Sequence, residues 1–169
     1  AGGTPILDPA LLDEIVMSTE HPQALAGAFD REFLALPRPV LVTVMQHHQK
    51  YFAVEDARGR LLASFIAVRD GDRRHLAAVR QGHAWVLQAR LADARFFFNE
   101  DRKRPLEAHV PRLEDVIFHA ELGTMAEKTR RVVGLARHLA GALLLDGHTT
   151  EALLRAATLC KADLVTHMV

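Results

Sequence analysis

Tyr51-Phe52-Ala53-Val54, Asp56-Ala57-Arg58-Gly59 and Leu61-Leu62-Ala63-Ser64-Phe65-Ile66-Ala67-Val68 follow one another and read as strand, turn and strand. Aromatic and β-branched residues suit a pleated, half-buried surface, and Gly59 is free to take the positive φ of a tight turn. Strands so joined form an antiparallel hairpin. Just upstream, Val40-Leu41-Val42-Thr43-Val44 is a β-branched run and is expected to add a third strand, with Pro37 and Pro39 ending whatever helix precedes it. Before that, Asp8-Pro9 supplies an N-cap and a first-turn proline for a short helix with Leu11, Leu12, Ile15 and Val16 on one apolar face. A second short helical pattern runs through Leu25, Phe29 and Phe33.

Downstream of Asp70-Gly71 the period is helical to the end. Leu87, Leu91, Ala94 and Phe98 fall on one stripe, which Phe96 and Phe97 widen into an expected core surface. Pro105 closes that helix, and Pro111 is expected to begin a short one with Leu113, Val116 and Ile117 inward. Thr124-Met125-Ala126-Glu127 has the spacing of a capping box and starts a helix through Val132, Ala136, Leu139 and Leu143. Asp146-Gly147-His148 breaks it. Thr149 or Thr150 then caps a last helix through Leu153, Ala157 and Cys160, with no stop signal before Val169. That open end, and a start at Ala1-Gly2-Gly3, read as a piece of a longer protein. The expected fold class is α+β: residues 1–121 form a small, three-stranded antiparallel sheet with flanking helices, and residues 122–169 begin a separate helical domain.

The chain has 169 residues, 49% of them apolar and 25% charged, which is too apolar and too balanced for disorder. No run of about 18 apolar residues occurs, so no transmembrane helix is expected. The lone Cys160 has no internal partner and suits a reducing cytoplasm. The 21 basic and 21 acidic side chains cancel, yet they are unevenly placed. Residues 1–36 carry six acids and one base, a balance of −5; residues 69–104 carry nine bases and five acids, a balance of +4. Charge alone favours a solvated, ion-paired surface over an anion-attracting face in that basic middle.

Short motifs are scarce. There is no glycine-rich dinucleotide or phosphate loop and no nucleophile elbow. Cys160 sits in an apolar helix pattern and is expected to be a small buried hydrophobe. His47-His48 lacks an acid or cysteine at ligand spacing and reads as surface polarity in a turn. Asp93 and Asp101 could do acid–base work, but Arg90 with Asp93 and Asp101 with Arg104 are each spaced for an i,i+3 ion pair. No catalytic residue and no metal ligand is assigned.

Lys128-Thr129-Arg130-Arg131-Val132-Val133-Gly134-Leu135-Ala136 resembles the first helix of HD-type phosphohydrolase domains, where a histidine precedes the Arg-Val pair. Lys128 or Thr129 stands at that place here, and Ala156-Ala157-Thr158-Leu159-Cys160-Lys161-Ala162-Asp163 lacks the later His-Asp pair. The resemblance therefore implies a degenerate, HD-like scaffold without its metal. A wider resemblance lies in His48-Gln49-Lys50-Tyr51-Phe52, in Phe65-Ile66-Ala67-Val68, and in the block Arg90-Leu91-Ala92-Asp93-Ala94-Arg95-Phe96-Phe97-Phe98-Asn99-Glu100-Asp101-Arg102-Lys103-Arg104-Pro105-Leu106-Glu107. Leu122-Gly123-Thr124, Lys128 and Lys161-Ala162-Asp163-Leu164-Val165-Thr166 continue it. In this order and spacing they resemble the β subunit of the bacterial two-subunit glycyl-tRNA synthetase, from about Leu11 to Val169. Ala53 and Asp70, in place of proline and asparagine, and His83-Ala84-Trp85 depart from the family's pattern.

The resemblance implies a subunit of glycine–tRNA ligase, cytoplasmic, in an α2β2-type assembly. It further implies that the α subunit activates glycine with ATP and Mg, while the β subunit binds and positions tRNA(Gly) and holds no active site of its own. No cofactor is implied for this stretch. Arg90, Arg95, Arg102, Lys103 and Arg104 are the candidate contacts to tRNA or to the α subunit, because cationic side chains neutralise phosphates. The rival readings are a metal-dependent HD-type phosphohydrolase and a stand-alone interaction module.

Overall fold

Phe52–Glu55 (β3) and Leu61–Asp70 (β4) are the expected hairpin, with Phe52 opposite Ile66 and Ala53 opposite Phe65. These pairings come from a computed structural model that describes residues 2–169. Asp56 organises the turn: its carboxylate accepts from the amides of Arg58 and Arg60, and Gly59 takes φ +73° as the turn requires. Two further strands join the sheet. Thr4–Pro5 (β1) pairs with β3, and Pro22–Ala28 (β2) pairs along the other edge of β4, giving the order β1-β3-β4-β2, antiparallel throughout. The chain forms two compact units, Ala1–Phe96 and Phe97–Val169.

Two expectations in the first unit are corrected. The Leu25 segment is β2, not a helix: Leu25 and Gly27 are buried while Ala24, Ala26 and Ala28 are exposed, a period of two that small residues disguise. Only at Arg31–Ala35 does a 3-10 turn follow, burying Phe33. The Val40 segment is likewise not a strand. Pro39 lies in the first turn of Arg38–Thr43 (α2), where its fixed φ favours a helix start, and the coil continues as a π-helical turn over Val44–His48. Leu41, Val44 and Met45 are buried at i, i+3 and i+4, so burial on a helical face overrides β propensity.

The helix capped by Asp8 forms over Pro9–Ser18 (α1). Leu11 and Ile15 pack with Phe52, Ile66 and Val68, whereas Leu12 and Val16 are exposed. Leu76–Asp101 (α3) buries Leu87, Leu91 and Ala94, as their spacing demands.

In the second unit Leu106–Asp115 is a 3-10 segment with Pro111 inside it rather than at its start. Leu113 is fully buried against Met125, Ala126 and Val165, with Val116 beside them. Ile117, expected inward, lies exposed on Ile117–His119 (β5), which pairs with Gly123–Thr124 (β6). Both halves of the Thr124 capping box form, at 2.8 and 3.2 Å, and open Met125–Ala142 (α4). Leu139 on it and Leu143 just past its end are exposed, contrary to the expected stripe. Asp146, not Thr149 or Thr150, caps Gly147–Leu159 (α5) through the Thr149 amide. That helix stops at Leu159. Cys160 is exposed, its thiol 3.2 Å from the Ala157 carbonyl, and a 3-10 turn over Ala162–Val165 replaces the expected continuation.

Candidate functional site

The basic block begins on α3, whose inward residues Leu87, Leu91 and Ala94 leave Arg90 on the exposed surface. Arg95 is different. Its guanidinium lies 2.7 Å from the Glu32 carboxylate and 4.7 Å over the Phe33 ring, so its charge is engaged within the first unit.

In the second unit Arg102, Lys103 and Arg104 leave the end of α3 in exposed positions. The Arg102 guanidinium lies 5.4 Å over the Phe98 ring, Lys103 pairs with Glu100, and Arg104 has no hydrogen bond or ion pair among the described residues. The expected pairs of Arg90 with Asp93 and Asp101 with Arg104 do not form among the described residues. Asp101 is used otherwise: it accepts from the backbone amides of His167 and Met168 at 2.9 and 3.0 Å and lies 2.8 Å from His167 Nδ1. Burial pushes its carboxyl up, but these hydrogen bonds outweigh it and hold the group below the usual carboxylate range.

The triple phenylalanine is not the expected core stripe. Phe96 is 59% exposed, Phe97 is also exposed and stacks on the His167 imidazole at 6.2 Å, and Phe98 is half-buried beneath Arg102. The second unit thus combines three consecutive cations with an aromatic–imidazole stack near the same helix end. Such a surface can neutralise anions.

His47 and His48 are exposed, in the π-helical turn rather than a loop turn, and Lys50 (φ +58°) pairs with Glu14 at 2.7 Å. Among the described residues no three His, Cys, Asp or Glu side chains gather in a way that would hold a metal ion. At the place where an HD-type domain would begin its ligand set, the Lys128 ammonium sits 3.7 Å over the Phe118 ring and Thr129 is buried.

Sequence reasoning missed one polar pair. The Tyr51 hydroxyl lies 2.6 Å from His83 Nδ1, with the tyrosine ring stacked on Phe65 at 4.8 Å. Burial raises the Tyr51 pKa; burial, then the Arg69 charge, lowers that of His83. Thirty-two residues separate the two, so no local spacing signals the pair.

The family model described as "Glycyl-tRNA synthetase beta subunit" matches residues 1–169. The chain is 48% identical over 163 residues to the glycine–tRNA ligase beta subunit of Bacillus subtilis strain 168, covering 96% of the chain and 24% of that protein. Against the corresponding subunit of Moorella thermoacetica the identity is 50% over 168 residues, 99% of the chain and 24% of the relative. Against that of Geotalea daltonii it is 46% over 169 residues, 100% of the chain and again 24% of the relative. The chain spans about a quarter of the length of these curated relatives.

Proposed function

The chain belongs to the family of glycyl-tRNA synthetase β subunits, and from that premise we propose that it forms a tRNA-binding and assembly region of glycine–tRNA ligase with no active site of its own. In this reading the α subunit carries out glycine activation with ATP and Mg. The β polypeptide works in the cytoplasm, joins an α2β2-type assembly and positions tRNA(Gly). The chain by itself glycylates nothing.

The observation that carries the reading is the exposed Arg102-Lys103-Arg104 run at the end of α3, in a family whose relatives are named for a tRNA ligase. Phosphate contacts of this kind fix register without reading sequence, which is what a positioning subunit needs. Arg90 is a weaker member of the set. Arg95 is engaged by Glu32 and Phe33 and contributes through packing. The test is filter binding of tRNA(Gly) to the full β subunit at two salt concentrations, with Arg102, Lys103 and Arg104 changed together to alanine. The reading expects weaker binding and a flatter salt dependence. Unchanged affinity at both salts contradicts it.

A further inference from the structure

Helix α4 buries small residues and exposes large ones. Past Ala126 its buried residues are Thr129, Ala136 and Ala140. Leu135 and Leu139, with Leu143 just past the helix end, fall four apart on one stripe and are 64%, 54% and 67% exposed. Leu144 follows, 90% exposed. Its backbone is as unusual as its exposure. The Leu144 amide donates to the Gly141 carbonyl at 3.1 Å and the Leu145 amide to the Ala140 carbonyl at 3.0 Å. These bonds close the helix with Leu144 at the left-handed position, φ +51°, which glycine usually takes. A leucine there strains the backbone and sets a large apolar side chain in solvent, and burying that side chain in the working protein offsets both. Four leucines so close together on one helix end form the kind of apolar patch that marks an interaction surface.

We infer that the Leu135–Leu144 face of α4 is covered by a further helix of the same β polypeptide, apolar on one side and acidic along its borders. The inference stands on family membership and not on the tRNA-binding reading. The curated relatives are about four times as long as the stretch they share with this chain, so a polypeptide of their length carries the covering helix on its own covalent chain. A tethered helix meets the face at an effective concentration of about mM and avoids the entropy that a separate partner loses on association. Charge selects the borders of that helix. Past Glu127, α4 has no carboxylate, and Arg131 and Lys128 stand at i−4 and i−7 from Leu135, on the side of the stripe. From α4, a second copy brings only bases to such a contact, whereas an acid-bordered helix complements it. The α4–α5 pair then forms an inner layer of a larger helical body, with apolar contacts on both sides of α4.

The test is hydroxyl-radical footprinting of the full-length β subunit, without substitutions, read by mass spectrometry at Leu135, Leu139, Leu143 and Leu144. Each leucine's oxidation rate in the folded subunit is compared with its rate in urea. The measurement is repeated over a hundredfold range of subunit concentration and again with the α subunit added. Coverage from within the polypeptide slows oxidation of the four leucines by about tenfold or more in the β subunit alone, equally at every concentration, with no further change when the α subunit binds. Rates close to those in urea under every condition overturn the inference, because the face is then open. Slowing that requires the α subunit overturns it in favour of an intersubunit contact, and slowing that grows with subunit concentration overturns it in favour of a second copy. None of these outcomes touches the Arg102–Arg104 reading, which the salt dependence of tRNA binding decides separately.

Discussion

Tyr51 and His83 hold each other's polar atoms in the first unit, and removing one exposes the cost borne by the other. Tyr51→Phe keeps the stack on Phe65 but leaves His83 Nδ1 unpartnered, so urea unfolding should show a loss of about 1 kcal/mol. Because burial and then Arg69 depress the His83 pKa, the unfolded chain takes up a proton before the folded one does. Stability contributed by neutral His83 is full above its ordinary value, about 6.5, and falls as pH drops below it. The melting temperature should therefore decline from pH 7.5 to 5.5, less steeply in a His83→Gln variant. Asp101 has the same sign from a carboxylate: its clasp on His167 and Met168 is complete above about pH 4 and is lost only as pH falls below the usual carboxylate range. Asp101→Ala should speed amide hydrogen exchange at His167 and Met168 by roughly tenfold or more, since hydrogen bonds to a charged acceptor are worth about 1.5–3 kcal/mol. Unchanged exchange would show that the 3-10 turn over Ala162–Val165 holds this segment without the aspartate. Thr129 supplies the opposite sign. It is 5% exposed and its hydroxyl has no hydrogen-bond partner among the described residues, so Thr129→Val should be neutral or stabilising by up to about 1 kcal/mol in urea unfolding, and a clear loss would mean that the hydroxyl is bonded.

At the scale of elements, β2 depends on having no side chain at Gly27. That glycine faces Phe65 across the β2–β4 ladder, and an added Cβ would run into the Phe65 ring. Gly27→Ala should destabilise by about 1–3 kcal/mol, although alanine is otherwise no worse in a strand, and a neutral result in urea unfolding would mean that the Phe65 ring can move aside. The same glycine explains why β2 is hard to read from sequence. Pro22-Gln23-Ala24-Leu25-Ala26-Gly27-Ala28 has one large apolar residue, so its alternation is carried by burial rather than by residue type. The four-residue spacing of Leu25, Phe29 and Phe33 then imitates a helix. In α2 the imitation runs the other way: Val40-Leu41-Val42-Thr43-Val44 has strand composition, but Pro39 starts a helix and the buried set falls at helical spacing. The β3–β4 hairpin, the Asp8 cap and the Thr124 capping box are legible because each is fixed by residues a few positions apart. The ends of α5 are not. Asp146 outcompetes two threonines for the cap, and the stop at Leu159 has neither glycine nor proline to announce it.

For the whole molecule, family membership is legible in the Arg90–Glu107 block together with the shorter strings on either side of it, and the match over residues 1–169 bears it out. The candidate site is legible in the sequence only as a set of charges. Spacing cannot show that Arg95 is engaged by Glu32 or that Asp101 turns to His167 rather than Arg104, because each depends on tertiary neighbours. The zero formal charge is equally a property of the total and hides where the free cations lie. The central claim is that the chain positions tRNA and takes no part in activating glycine. Its most direct test is steady-state glycylation by the complete synthetase carrying Arg102→Ala, Lys103→Ala and Arg104→Ala together, with glycine-dependent ATP–pyrophosphate exchange measured alongside. The account predicts a KM for tRNA(Gly) raised roughly tenfold or more at low salt, from the loss of up to three phosphate contacts, with exchange at the wild-type rate. A wild-type KM, or an exchange rate that falls together with glycylation, would contradict it.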